Sequence, residues 1–155
     1  MSKLCLIGDV MTCTFFGHYF SPEEIKPKMR GAIVNLIENH NVNRFYVGTH
    51  GNFDRMAKEI LTELAEKYDI DYRIVLSRVP EKIRDWDTTD YSMTVVPDGI
   101  EKTHPRFGIV FRNKWMIKQS DYVITYIKNP FGNGAAQFAA LAEKKKLTII
   151  KLGEH

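Results

Sequence analysis

The stretch from Arg112 to Gln137, RNKWMIKQSDYVITYIKNPFGNGAAQ, decides the fold. It predicts a short helix carrying Arg112 and Trp115, a strand over Tyr122 to Ile127, and a glycine turn, Phe131-Gly132-Asn133-Gly134, opening into an alanine-rich helix near Ala135. An apolar strand that feeds a helix through such a turn is the repeating unit of a parallel α/β sheet. The turn leaves backbone N–H groups and the positive end of a helix dipole facing outward, which suits an anion, most often phosphate. Arg112 and Asn113 stand one strand upstream, and a guanidinium pairs with phosphate through two parallel hydrogen bonds. The segment therefore predicts a small phosphorylated ligand.

The rest of the chain repeats the same alternation. Thr12 to Phe16 predicts a strand ending at Gly17-His18. Ser21-Pro22-Glu23-Glu24 carries a capping-box pattern, with Ser21 as N-cap, and Pro27 one turn later is expected to kink or restart the helix. Met29, Ile33, Leu36 and Ile37 then form an apolar stripe that ends near His40-Asn41. A second strand is expected over Asn43 to Val47, followed by the turn Gly48-Thr49-His50-Gly51-Asn52. The next helix has Phe53, Met56, Ala57, Ile60, Leu61, Leu64 and Tyr68 on one face. Tyr72 to Leu76 and Leu147 to Leu152 complete a set of about five mainly parallel strands. The expected architecture is a Rossmann-like three-layer α/β sandwich forming a single domain. From Ser77 to Arg106 no period is sustained, and a stretch of that length is expected to be a functional loop or lid. Residues 1–10 read as an N-terminal extension, with an edge strand over Leu4 to Ile7 as one option.

Bulk properties narrow the function classes. The chain has 155 residues, enough for one ordinary core, and is 44% hydrophobic and 26% charged, as in soluble globular proteins. A net charge of +3 without a cationic block argues against tracking of nucleic acid. Lys144-Lys145-Lys146 closes a helix, where cations complement the dipole. Two cysteines, Cys5 and Cys13, lack metal or redox spacing and fit a reduced, cytoplasmic setting. No apolar run reaches the ~20 residues of a membrane span. No cofactor or metal is expected, because His18, His50 and Asp54 show no ligand spacing.

Three turns are expected to meet at the carboxyl edge of the sheet, where doubly wound folds bind ligands. They are Phe16 to Tyr19, Gly48 to Asp54, and Pro130 to Gln137. Gly48 and Gly51 permit tight turns, and Asn52 tolerates positive φ. Asp54, in the first helical turn, could cap free N–H groups or hold a ribose hydroxyl. His18 could be an acid, a base, a hydrogen-bond donor to a ligand, or a structural histidine bonded to a neighbouring turn. His50 and His104 read as solvated loop residues, Trp115 and Met116 as core, and Trp86 and Tyr91 as loop aromatics suited to stacking on a base. Neither a Walker motif nor a Gly-x-Ser-x-Gly elbow is present.

Phe15-Phe16-Gly17-His18, VGTHGNFDRMA, RNKWMIKQSDYVITY and Gly-Asn-Gly-Ala-Ala-Gln, taken in order, resemble the SLOG superfamily, and within it the small YpsA-like branch. The resemblance runs from about Met11 to Leu152. It implies a Rossmann-like domain that binds a nucleotide or related phosphorylated ligand, as a sensor or regulator, and helices that often pack across a homodimer interface. Its relatives include the Lonely-guy phosphoribohydrolases, which cleave the N-glycosidic bond of nucleoside monophosphates, and single-stranded-DNA-binding proteins of natural transformation. By position, Gly48, Gly51 and Asp54 match the first glycine motif, Arg112 the substrate-contacting arginine, and Gly132 and Gly134 the second, phosphate-cradling motif. Tyr19 stands where the branch often has arginine, and Thr49 and Asn52 replace glycines. Gln137 holds the place of the hydrolases' catalytic glutamate, and a neutral amide is no general acid or base. The ligand-contact set expected from residues and resemblance together is Gly17, His18, Gly48, Gly51, Asp54, Arg112, Asn113, Gly132, Asn133, Gly134 and Gln137. His18, Asp54 and Arg112 are the catalytic candidates if the chain is an enzyme, with Asp54, Asp85 or Asp87 standing in for the missing acid.

Overall fold

The computed structural model describes residues 10–80, 92–129 and 134–153. Gly132, Asn133, Asp85, Trp86, Asp87, Tyr91, Cys5 and the strand considered over Leu4 to Ile7 lie outside them.

Six parallel strands form one open sheet, flanked by four helices. In chain order these are β1 (Met11–Gly17), α1 (Lys26–His40), β2 (Val42–Val47), α2 (Gly51–Leu64), β3 (Asp71–Val75), β4 (Thr94–Val95), α3 (Gly108–Gln119), β5 (Tyr122–Tyr126), α4 (Gly134–Lys144) and β6 (Thr148–Lys151). The sheet order is β4-β3-β2-β1-β5-β6. Every pairing is parallel; Cys13, for example, lies opposite Phe45 on one side and Tyr122 on the other.

The layers follow from residue alternation along the strands. On one face Cys13 and Phe15 of β1 and Ile124 of β5 pack with Met29, Ile33 and Leu36 of α1 and Met56, Ile60 and Leu61 of α2. On the other face Phe16 and Val123 pack with Met116 and Ile117 of α3 and Phe138 and Ala142 of α4. Trp115 packs against this second cluster, its ring edge-on to Tyr46, so the expectation that Trp115 and Met116 serve the core holds. Cys13 is a free thiol sealed in the first cluster, and burial pushes its pKa up, which leaves it unreactive.

Several local expectations change. The sheet has six strands rather than about five, because Thr94–Val95 adds to the edge of β3. Its pairing satisfies β3 donors, with Ile74 N–H bonded to Met93 O and Leu76 N–H to Val95 O. Two residues carry no readable period, so this strand is set by an available sheet edge rather than by its own sequence. The aperiodic segment is organised further by 3-10 turns at Ile100–Lys102 and Pro105–Phe107. Ser21 does not cap a helix. Its hydroxyl donates to His18 O, and a 3-10 turn, Glu23–Ile25, precedes α1, which begins afresh with Pro27 in its first turn. Asn52 is helical; the positive φ belongs to Gly51, at 81°. No helix among the described residues is long and apolar enough to cross a membrane.

Candidate functional site

From β1 the chain winds outward through β2, β3 and β4, then crosses back to place β5 and β6 on the other side of β1. That reversal opens a crevice beyond the carboxyl end of β1, the place where open α/β sheets bind ligands. A cleft of about 340 Å³ occupies it. Gly17, His18 and Tyr19 enter from the end of β1, His50 and Asp54 from the turn after β2, and Gly134 and Ala135 from the start of α4. The first two expected turns thus meet there with the described start of α4, the end of the third. The fourth wall is α3, which contributes Ile109, Arg112, Asn113 and Met116.

Among the described residues Arg112 is the largest fully buried side chain, 2% exposed, and it still reaches the cleft wall. Its Nε donates to Asn113 Oδ1 at 2.8 Å, and its Nη1 donates to Thr49 Oγ1 and to Val75 O, both at 3.1 Å. These acceptors come from α3 itself, the turn after β2 and the end of β3, so the fork is fixed in three directions before any ligand arrives. Burial lowers its pKa, and the charge of Asp54 opposes that shift. A guanidinium stays protonated in proteins regardless, so the cleft contains a permanent, preoriented cation.

Asp54 is the anionic counterpart. Its Oδ2 accepts the His50 backbone N–H at 3.0 Å and so caps the N-terminus of α2, one of the two roles expected for it. Burial raises its pKa to about 6, against the lowering effects of the His50 N–H and of Arg112. A carboxyl group poised near neutrality in a cleft is a signature of functional sites. The neighbouring His50 ring has its pKa lowered, by burial first and by Arg112 second. Gly48 lies between the two charges. A Cβ there would fall 2.8 Å from Asp54 Oδ2 and 3.2 Å from Arg112 Cζ, so the residue is glycine because the pair occupies its side-chain space.

The first glycine motif builds the wall, and its His50 and Asn52 N–H groups are taken by Asp54 and the Tyr19 carbonyl. Gly51 lets the chain pass against Tyr19, whose carbonyl accepts the Asn52 N–H at 2.9 Å. The Asn52 side chain then grips the Ser21 backbone twice, accepting its N–H at 2.7 Å and donating to its carbonyl at 2.6 Å. The loop after β1 is therefore clamped to the start of α2. Asn52→Ala removes both bonds and is expected to destabilise the fold by about 1–2 kcal/mol. Urea denaturation of the variant checks this, and an unchanged midpoint would mean that water replaces the clamp without cost.

His18 fulfils the structural option. Its Nε2 accepts the Lys128 N–H at 2.7 Å and the Asn129 N–H at 3.3 Å, and its ring meets Tyr126 edge-on. An accepting Nε2 places the proton of the neutral ring on Nδ1. The side chain thereby ties the end of β1 to the loop that leads from β5 towards α4. Gly17 lines the cleft, but its lack of a side chain is required by the Phe53 ring. Gln137 is exposed on α4 and is not among the residues that line the cleft. His104 is exposed and accepts the Arg106 N–H. Among the described residues no group of three or more His, Cys, Asp or Glu side chains could hold a metal ion.

Sequence reasoning missed Thr49 and the Val75 carbonyl as holders of Arg112, and Ile109 and Phe138 as cleft residues; Tyr19 was placed in a converging turn but not among the ligand contacts. Thr49 had a signal, a hydroxyl where the glycine motif leads one to expect glycine. The Val75 carbonyl had none, since a backbone acceptor is invisible in a sequence. No protein-family model matches the chain, and comparison with curated proteins gives no match.

Proposed function

We propose that the chain binds a nucleotide or a nucleotide-derived phosphorylated ligand in the cleft at the end of β1, as an SLOG-type sensor or regulator. The observation that carries this reading is the buried Arg112 fork, fixed by three protein acceptors in the wall of a cleft that also receives the start of α4. A desolvated cation beside a helix N-terminus favours an anion with several oxygens, and phosphate is the common biological case. The cleft volume falls at the lower end of small-ligand sites, enough for a mononucleotide held partly at the surface. Calorimetry with nucleoside monophosphates and with cyclic and ADP-ribose-type nucleotides tests the reading directly. Arg112→Lys keeps the charge and loses the planar fork, so it is expected to weaken phosphate-ligand binding at least about tenfold. A wild-type protein that binds none of these ligands, or a lysine variant that binds as well as wild type, would sink the proposal.

Asp54 favours a second reading, hydrolysis of the N-glycosidic bond of a nucleoside monophosphate. A carboxyl with a pKa raised to about 6 could protonate the departing base as water adds to the anomeric carbon. Release of free base from a nucleotide panel, abolished by Asp54→Asn, supports hydrolysis. Binding without base release leaves the sensor reading.

A further inference from the structure

The loop after β1 carries two aromatic side chains that the fold does not use. Tyr19 is 56% exposed and Phe20 84% exposed, although their neighbours in sequence are fixed. The Tyr19 carbonyl holds the Asn52 N–H, Gly51 packs against its Cα, and the next backbone group but one, Ser21, is clamped by the Asn52 side chain. Exposed aromatics on a mobile loop would be incidental. Here the backbone is immobilised by a positive-φ glycine and a two-way side-chain clamp, while the rings themselves face solvent. Tyr19 also lines the cleft that contains Arg112. Its ring meets Phe20 edge-on at 4.8 Å and His50 edge-on at 6.4 Å, so three rings form a braced cluster at the cleft wall. Across the same cleft stands Ile109, itself 39% exposed. The cleft thus combines two charged groups, Arg112 and Asp54, with apolar and aromatic walls.

We propose that Tyr19, braced by Phe20 and His50, is the stacking platform for a planar aromatic ring, the base of the nucleotide whose phosphate the Arg112 side of the cleft receives. The inference rests on the nucleotide reading above and adds to it the residue that distinguishes a nucleotide from a plain sugar phosphate. A ligand with an anionic end and a planar apolar end matches both parts of the cleft, and stacking tolerates any base because every base has a π face. The residue is a positioning and specificity group, with no part in bond cleavage.

The test is calorimetry of the full chain with two kinds of probe, nucleoside 5′-monophosphates (AMP, GMP, CMP and UMP) and ribose 5-phosphate, which lacks the base. Wild type is expected to bind at least one of the nucleotides about ten- to a hundredfold more tightly than ribose 5-phosphate. Tyr19→Ala and Tyr19→Leu should erase that preference while leaving ribose 5-phosphate affinity unchanged, and Tyr19→Phe should keep it. The leucine variant preserves bulk, so its failure isolates the loss of the aromatic face. Three results overturn the inference while leaving the nucleotide reading intact: equal loss of both kinds of probe in Tyr19→Ala, no loss of either, or a dimer that this substitution dissociates. The last would mean that the rings serve a second copy of the chain. If wild type binds neither kind of probe nor the cyclic and ADP-ribose-type nucleotides, the nucleotide reading and this inference fall together.

Discussion

Gly17→Ala is expected to destabilise the protein by about 3 kcal/mol, the upper end of the usual cost of overpacking a core. A Cβ at this position would lie 2.4 Å from Phe53 Cδ1 and Cγ and 2.6 Å from Cδ2. The obstacle is the root and body of an aromatic ring rather than the tip of a flexible chain. Phe53 has nowhere to retreat, being 1% exposed within the cluster formed by β1, α1 and α2. Phe53 also stands in the first turn of α2, directly before Asp54, so any shift that relieves the clash moves the cleft carboxylate. The variant should therefore lose stability and ligand binding together. Replacing Phe53 with leucine in the Gly17→Ala background should restore part of the stability, and a double-mutant cycle in urea should give a coupling of about 1 kcal/mol or more. Simple additivity of the two substitutions would show that the ring is not what limits the site.

The same contact shows how legibility varies along this chain. The inner strands β1, β2 and β5 and the stripe of α2 were readable because burial on both faces of a parallel sheet favours apolar runs, and a one-sided helix demands the 3.6-residue spacing. The meeting of the turns after β1 and β2 with the start of α4 also followed from the alternation of elements, since a doubly wound sheet brings the ends of its inner strands to one edge. What the sequence concealed were the reasons for individual residues. Gly17 and Gly48 both read as turn glycines in contact with a ligand, yet the structure gives each a side-chain neighbour in the place of its missing Cβ. Ser21 read as a helix cap, but Pro22 begins a 3-10 turn instead, and the serine hydroxyl turns back to His18 O. Asn52 read as a left-handed turn residue, whereas Gly51 takes that conformation and frees the asparagine to clamp the opposite loop. In each case a residue type was recognised as special while its partner, distant in sequence, could not be seen. Arg112 follows the same pattern: its place beside the ligand edge was readable, while Thr49 and the Val75 carbonyl, which hold it from distant parts of the chain, were not.

Asp54→Asn is expected to make the protein more stable at pH 8, by about 2 kcal/mol. The carboxyl titrates at about 6 in the folded chain, against the ordinary value of 3.8. That shift corresponds to about 3 kcal/mol in favour of the neutral form, and partial exposure of the group to solvent reduces what is realised. The sign follows from proton linkage. Between the two values the folded state binds the proton that the unfolded state has released, so the contribution of Asp54 is most favourable below about pH 4 and is lost as pH rises through about 6. Asparagine keeps the shape and an oxygen to accept the His50 N–H, but never bears the charge. Its advantage should thus be full at pH 8, shrink below pH 6 and vanish near pH 4. Urea unfolding of both proteins across that range measures it. The same substitution removes a negative charge beside Arg112 and should not weaken the binding of an anionic ligand, whereas it should abolish any base release. A variant less stable than wild type at pH 8 would mean that attraction between Asp54 and Arg112 outweighs the cost of burying the carboxylate. The two charges would then be a structural pair closing the crevice. A more stable variant instead identifies a carboxylate that the fold tolerates at a cost, and tolerated instability of this kind belongs to sites retained for what they bind or do.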